Sequence, residues 1–159
     1  MKEITLQIPE GKKAKWINGV LTLVDDKPKD ITERIKTFED ACYKLGDEHQ
    51  YVKAYREWMR VSFAECEDVT AYLKLRVICA ALNEGWVPQY TYGERGWSPD
   101  FIIETGNGGR LCCSISRSLP SAATAYVGSR LCLKSEALAT YCGKQFIDIW
   151  KDYLLIKKD

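Results

Sequence analysis

Histidine is almost missing from this sequence, with His49 the only one. Serine–histidine–aspartate and cysteine–histidine catalysis both need an imidazole. His49 lies in the polar run Asp47-Glu48-His49-Gln50, where a helix-capping role is expected instead. Cysteine pairs are missing too: the seven cysteines include no CxxC spacing, and with a single histidine a zinc site finds no support. Neither GxxxxGK[ST] nor GxGxxG occurs, so a nucleotide-hydrolase loop has no basis. No apolar run approaches the ~20 residues a membrane span needs. An excess of charge of one sign is absent as well. Lys and Arg total 23, Asp and Glu 22, for a formal charge of +1, which argues against a protein that coats nucleic acid or coats a membrane surface. The opening MKEITLQIPEG carries a proline and a glutamate where a secretory signal needs its apolar region, and a cytosolic protein is expected.

What is present is the composition of an ordinary globular chain: 159 residues, 46% hydrophobic and 28% charged. That length fits one domain over residues 1–159 with a core that needs no staples. Free cysteine behaves as a small hydrophobe. Cys42, Cys79 and Cys142 fall in apolar periodic patterns, so reduced, structural thiols are expected. Cys112 and Cys113 are adjacent on an expected strand and should point to opposite faces.

Alternation in EITLQI (residues 3–8) and VLTLV (20–24), with an Asn18-Gly19 turn signal between them, predicts an N-terminal β-hairpin within residues 1–25, with an extra strand segment around Lys15 to Ile17. A helical part over 31–85 follows. Thr37 is the expected N-cap of the first helix, with Phe38, Ala41, Cys42 and Leu45 on one face and Gly46 as terminator. Asp47 with Gln50 predicts a capping box for a second helix bearing Tyr51, Val52, Tyr55, Trp58 and Met59. The third helix should run from Glu67 or Asp68 to about Asn83, stopped by Gly85. It is apolar nearly all round, so it is expected to be the hub of the core, with Leu73 buried in it.

Residues 86–159 should hold a sheet and a long C-terminal helix. The strand candidates are Gln89 to Tyr92, Asp100 to Glu104, Arg110 to Ser116 and Ser129 to Lys134, with a Gly106-Asn107-Gly108-Gly109 hairpin turn. Ser98-Pro99 predicts a turn, and Ser116 to Tyr126 a surface loop. Ser135 should cap the last helix, on which Leu138, Cys142, Phe146, Ile149 and Tyr153 repeat at helical spacing. The fold class is α+β, helices packed on a small antiparallel sheet.

Several of these segments resemble small uncharacterised accessory proteins carried by phages and prophages of gut Bacteroidales. The similar features are the IPEG hairpin (Ile8 to Gly11), the TFEDA helix start (Thr37 to Ala41), the stretch Ala71 to Trp86, the W-x-P-x-F step (Trp97 to Phe101) and the strand-to-helix junction Gly128 to Ala139. The resemblance covers most of the chain. It implies a small phage accessory protein, a class in which interference with host defence is common, and it brings no established activity.

The chemistry-bearing stretch is Gly85 to Lys134. It holds five basic residues against three acidic ones, and four of the eight arginines. Arginine offers a planar fork of donors for phosphate or carboxylate, and aromatic rings can stack on a base. The expected ligand-binding residues are Tyr90, Tyr92, Arg95, Trp97, Ser116, Arg117, Ser118, Tyr126, Arg130 and Lys134. Trp86 and Phe101 are expected in the core. Arg130 has a structural alternative, pairing with Glu136 or Glu104. Together these residues suit a non-enzymatic protein that sequesters a small anionic, nucleotide-like ligand, with no cofactor. The alternative is a module that grips a host or phage protein through an aromatic patch. A homo-oligomer, most simply a dimer, is expected.

Overall fold

We describe a computed structural model of the chain, covering residues 7–9, 11–26, 30–61, 66–89, 94–104, 110–120 and 129–156. It is an α+β protein with six α-helices and two small antiparallel sheets among these residues. The chain divides into two compact units, Met1–Arg34 and Ile35–Asp159.

The first unit is built on a hairpin of β1 (Lys12–Ile17) and β2 (Val20–Asp25). Asn18 and Gly19 both take positive φ, 49° and 77°. That combination is the tight two-residue turn whose twist matches the flanking strands, and Gly19 reaches it without steric cost. The register pairs Trp16 with Leu21 and Ile17 with Val20. The partner of the VLTLV strand is therefore KKAKWI rather than EITLQI. Of the latter, Gln7 and Ile8 are not in a strand, and residues 3–6 lie outside the described residues. The turn chemistry at Asn18-Gly19 fixes the nearer segment as partner. A short α1 (Ile31–Arg34), absent from the sequence reading, ends this unit, with Asp30 accepting from the Thr32 backbone N–H and hydroxyl.

The second unit is centred on α4 (Glu67–Asn83), which has the expected bounds. Leu75, Val77, Ile78, Cys79, Ala81 and Leu82 are completely buried, and each large aliphatic side chain among them is worth about 1.5–3 kcal/mol of transfer free energy. Leu73, expected to be buried, is only half-buried; the innermost stripe runs through its neighbours Leu75, Ile78 and Leu82. Packed on α4 are α2 (Phe38–Leu45), α3 (Gln50–Val61) and α6 (Ile147–Leu154). Thr37 caps α2 in a reciprocal box with Asp40, and Gly46 closes its last turn. The start of α3 differs from expectation. His49 is the capping group, its Nδ1 accepting from the Tyr51 N–H at 3.2 Å, while Asp47 is held 2.6 Å from Arg56. Trp58 Nε1 donates to Thr70 Oγ1 at 3.0 Å, tying α3 to α4.

The second sheet pairs β3 (Arg95–Glu104) with β4 (Arg110–Pro120), antiparallel as expected, with a register shift at Asp100/Phe101. Both strands are longer than predicted. Ser98-Pro99 is inside β3 rather than a turn, and Ser116 to Pro120 belongs to β4 rather than a loop. Pro99 precedes the register shift, where a strand tolerates a residue that cannot donate. The expected Ser129 to Lys134 strand is a 3-10 turn, Ser129–Leu131, followed by one bridging residue, Leu133. Gln89 is not in a strand.

The expected long C-terminal helix is two helices, α5 (Glu136–Gln145) and α6. Phe146 leaves helical backbone at φ −112°, ψ 32° and buries its side chain. Ser135 caps α5 as predicted, its hydroxyl accepting from the Leu138 N–H. The approach of α5 to the sheet is close because Gly143 has no side chain: a Cβ there would meet Cys113 Sγ at 2.5 Å and Pro99 Cβ at 2.8 Å. Trp86 and Phe101, expected in the core, are half-buried. Phe101 lends its ring to Trp150, which is fully buried at a centroid distance of 5.2 Å. Cys79, Cys132 and Cys142 are buried, Cys42, Cys112 and Cys113 half-buried, and Cys66 exposed. Hydrogen bonding with Cys142 and burial push the Cys79 thiol well above its ordinary pKa, which keeps it unreactive.

Candidate functional site

Trp97 is where the second sheet becomes three chains wide. On one side the register sets it opposite Ser118. On the other it exchanges two backbone hydrogen bonds with Leu133, at 2.9 and 2.8 Å. Its neighbours in β3 follow the same frame, with Ser98 opposite Arg117, Pro99 opposite Ser116, and Arg95 opposite Pro120. The polar part of the strand is thus the middle of this rim, and the sequence explains why it can be. Gly96 is buried, with Cys132 Sγ filling the space a side chain would need. Burial raises the Cys132 thiol above its ordinary pKa.

The third chain of the rim is fixed by Asn83, at the end of α4. Its side chain is buried. Nδ2 donates to the Cys132 carbonyl at 2.8 Å, and Oδ1 accepts from the Lys134 N–H at 2.9 Å. One amide thereby behaves as a short length of strand and satisfies both main-chain groups flanking Leu133. Just beyond it, Glu84 takes left-handed backbone and receives Lys134 at 3.4 Å and Lys44 at 3.7 Å.

Of the ten expected ligand-binding residues, the backbone brings Arg95, Trp97, Ser116, Arg117, Ser118 and Lys134 into this one region, while Arg130 lies in the 3-10 turn that leads to it. Trp97 is half-buried; Arg95 and Arg130 are exposed. Lys134 is committed to Glu84 and is a structural residue in part. The side chains of Ser116, Arg117 and Ser118, like all of Tyr90, Tyr92 and Tyr126, lie outside the described residues. Chemically the rim offers cationic donors beside a partly exposed indole. Among the described residues no group of three or more His, Cys, Asp or Glu side chains could hold a metal ion.

Two features escaped the sequence reading. Asn83 closes the helix segment CAALN and reads as an ordinary helix-end residue; only its lack of an apolar partner in the repeat marked it. The other is on α4. Arg76 lies over the Tyr51 ring, 4.1 Å from its centroid, and 5.8 Å from that of Tyr72. A tyrosine one turn before an arginine, in an otherwise apolar helix, was the available signal.

Compared with protein-family models, with curated proteins and with solved structures, the chain matches none.

Proposed function

We propose that this chain is a non-enzymatic binding protein that takes up a small anionic, nucleotide-like ligand at the β3 rim. The observation that carries the reading is the crossing at Trp97. There β3 carries a half-buried indole on a backbone paired with β4 on one side and with Leu133 on the other. An indole can stack on a flat base and is worth about 1–3 kcal/mol by truncation, while Arg130 and Arg95 supply the charge. The resemblance to phage accessory proteins suits a sponge for a host immune signal, acting in the host cytosol. No helix among the described residues is long and apolar enough to cross a membrane.

The test is calorimetric titration of a panel of cyclic and linear nucleotides into the wild type, Trp97→Ala, Arg130→Ala and Arg130→Lys. We expect wild-type binding to at least one member, its loss in both alanine variants, and incomplete rescue by lysine, which lacks the planar fork. Exposed Arg130 should change without loss of thermal stability. A wild type that binds no member would overturn the reading.

The alternative, a module that grips another protein, is favoured by a different observation. The β1–β2 hairpin leaves Trp16 69% exposed, with Leu21 at 42% and Leu23 at 41%. A two-stranded hairpin with a bare apolar face is marginal by itself, and such a face marks an interaction surface. Light scattering of wild type and Trp16→Ser tests it: an oligomer dissociated by the substitution supports association through the hairpin, and a wild-type monomer removes self-association.

A further inference from the structure

We propose that Arg76 and the tyrosines around it form a second anion-binding site, for a phosphate or carboxylate group, separate from the β3 rim. Arg76 lies on α4, half-buried. Its guanidinium carbon sits over Tyr51, from the start of α3, and near Tyr72, one turn earlier on α4. Tyr72 in turn stacks on Tyr153 of α6, with centroids 5.8 Å apart and planes at 28°. The His49 ring meets Tyr51 edge-on at 5.2 Å. The cation therefore lies against rings from two helices, α3 and α4, with Tyr153 of α6 backing Tyr72.

Among the described residues the guanidinium has no carboxylate partner. The acidic residues just before α3 are engaged elsewhere, Asp47 with Arg56 and Glu48 with Lys53, and Glu57 within α3 pairs with Arg60. Of the three guanidinium nitrogens, only Nε is sealed from solvent without an acceptor. The two terminal nitrogens are the ones a ligand would engage. Ring contacts stabilise the charge from its faces, but its N–H groups lie in the guanidinium plane and want oxygen acceptors. Were packing the only requirement, methionine or leucine would fill the position without burying part of an unpaired charge. A paired oxyanion resolves that mismatch, since arginine grips phosphate or carboxylate through parallel hydrogen bonds. Rings on either side would exclude water from the pair and strengthen it.

The test uses the full chain with two probes, pyrophosphate and citrate, at ionic strength balanced with sodium chloride. Arginine Nε–Hε signals are followed by NMR, that of Arg76 being assigned by its loss in Arg76→Met. We expect a saturable shift of this signal with at least one probe. A response to pyrophosphate alone assigns a phosphate ligand, to citrate alone a carboxylate, and to both a general oxyanion site. The same probe should raise the thermal midpoint of the wild type but not of Arg76→Met, and Arg76→Lys should bind at least tenfold more weakly. Without probe, Arg76→Met should melt no lower than the wild type. Arg130→Ala should respond like the wild type, which separates this site from the rim. A signal that moves with neither probe, a methionine variant that still responds, or a response abolished by Arg130→Ala would each overturn the proposal.

Discussion

Replacing Asn83 by leucine tests the joint on which the rim depends. The change keeps size and apolar contact but removes both hydrogen bonds of the buried amide. The Cys132 carbonyl, now 2.8 Å from Nδ2, and the Lys134 N–H, 2.9 Å from Oδ1, would be left without those partners. A buried main-chain group stranded in this way costs roughly 1–3 kcal/mol. That applies in full to the Cys132 carbonyl and only in part to the Lys134 N–H, whose bond is part-buried, so a net loss of about 1–3 kcal/mol is expected. Urea denaturation followed by circular dichroism measures it, and an unchanged m-value would show that the folded state keeps its extent. Asn83→Asp sharpens the argument. Aspartate keeps the acceptor for Lys134 N–H but sets a carboxylate against the Cys132 carbonyl oxygen, so its folded pKa should rise above the ordinary value. A group with a raised folded pKa is tolerated best below its unfolded pKa, and the benefit is lost as pH rises through the folded one. The deficit of Asn83→Asp against wild type should therefore be smallest near pH 4 and grow towards pH 7. An Asn83→Leu loss below about 0.5 kcal/mol, the range of an ordinary surface change, would refute the reasoning.

Three further outcomes are expected. Gly143→Ala should destabilise by about 1–3 kcal/mol even though alanine favours helix, because its Cβ meets Cys113 and Pro99 in a packed contact; an equal or higher urea midpoint would contradict this. Leu75→Ala should cost about 2–5 kcal/mol and half-buried Leu73→Ala clearly less, a ranking that parallel denaturation curves decide. Backbone hydrogen bonding from Lys36, with further bonds from the Thr37 N–H and hydroxyl, holds the Asp40 carboxyl below its usual pKa; this stabilisation is present above the unfolded pKa and lost as pH falls through the folded one, so Asp40→Asn should flatten the acid limb of the stability profile.

Local signals in the sequence carried the elements they govern. Thr37 with Asp40, Asn18-Gly19, Ser135 and the all-round apolar pattern of α4 each act within a few residues, and each element stands where they put it. Expectations failed where a distant partner decided. Ser129 to Lys134 has the composition of a strand, yet only Leu133 pairs, because Asn83 satisfies the main-chain groups on either side of it. Ser98-Pro99 has turn composition, yet it lies in β3 because β4 runs five residues past Ile115 to pair with it. Periodicity placed Phe146 on a single helix face, and it is buried as that face requires, but it reaches the core by breaking the helix.

The candidate site was legible to the same degree. A bias towards arginine and aromatics pointed to the stretch after Gly85, and the strand pairing sets six of those residues in β3, β4 and the Leu133 bridge around Trp97. Composition could not show that Lys134 belongs to Glu84, since the two are 50 positions apart. Nor could it show that the same chemistry, a guanidinium among rings, recurs on α4. Residues 1–84, Arg76 included, hold 14 basic and 15 acidic side chains, enough carboxylates on paper to pair every cation. In the folded chain Asp47, Glu48 and Glu57 pair with Arg56, Lys53 and Arg60, and among the described residues Arg76 meets tyrosines rather than a carboxylate. Net charge over a segment therefore says little about where an anion is wanted. What matters is which cation the helices leave without a partner, and that follows from the packing of α3 and α6 on α4.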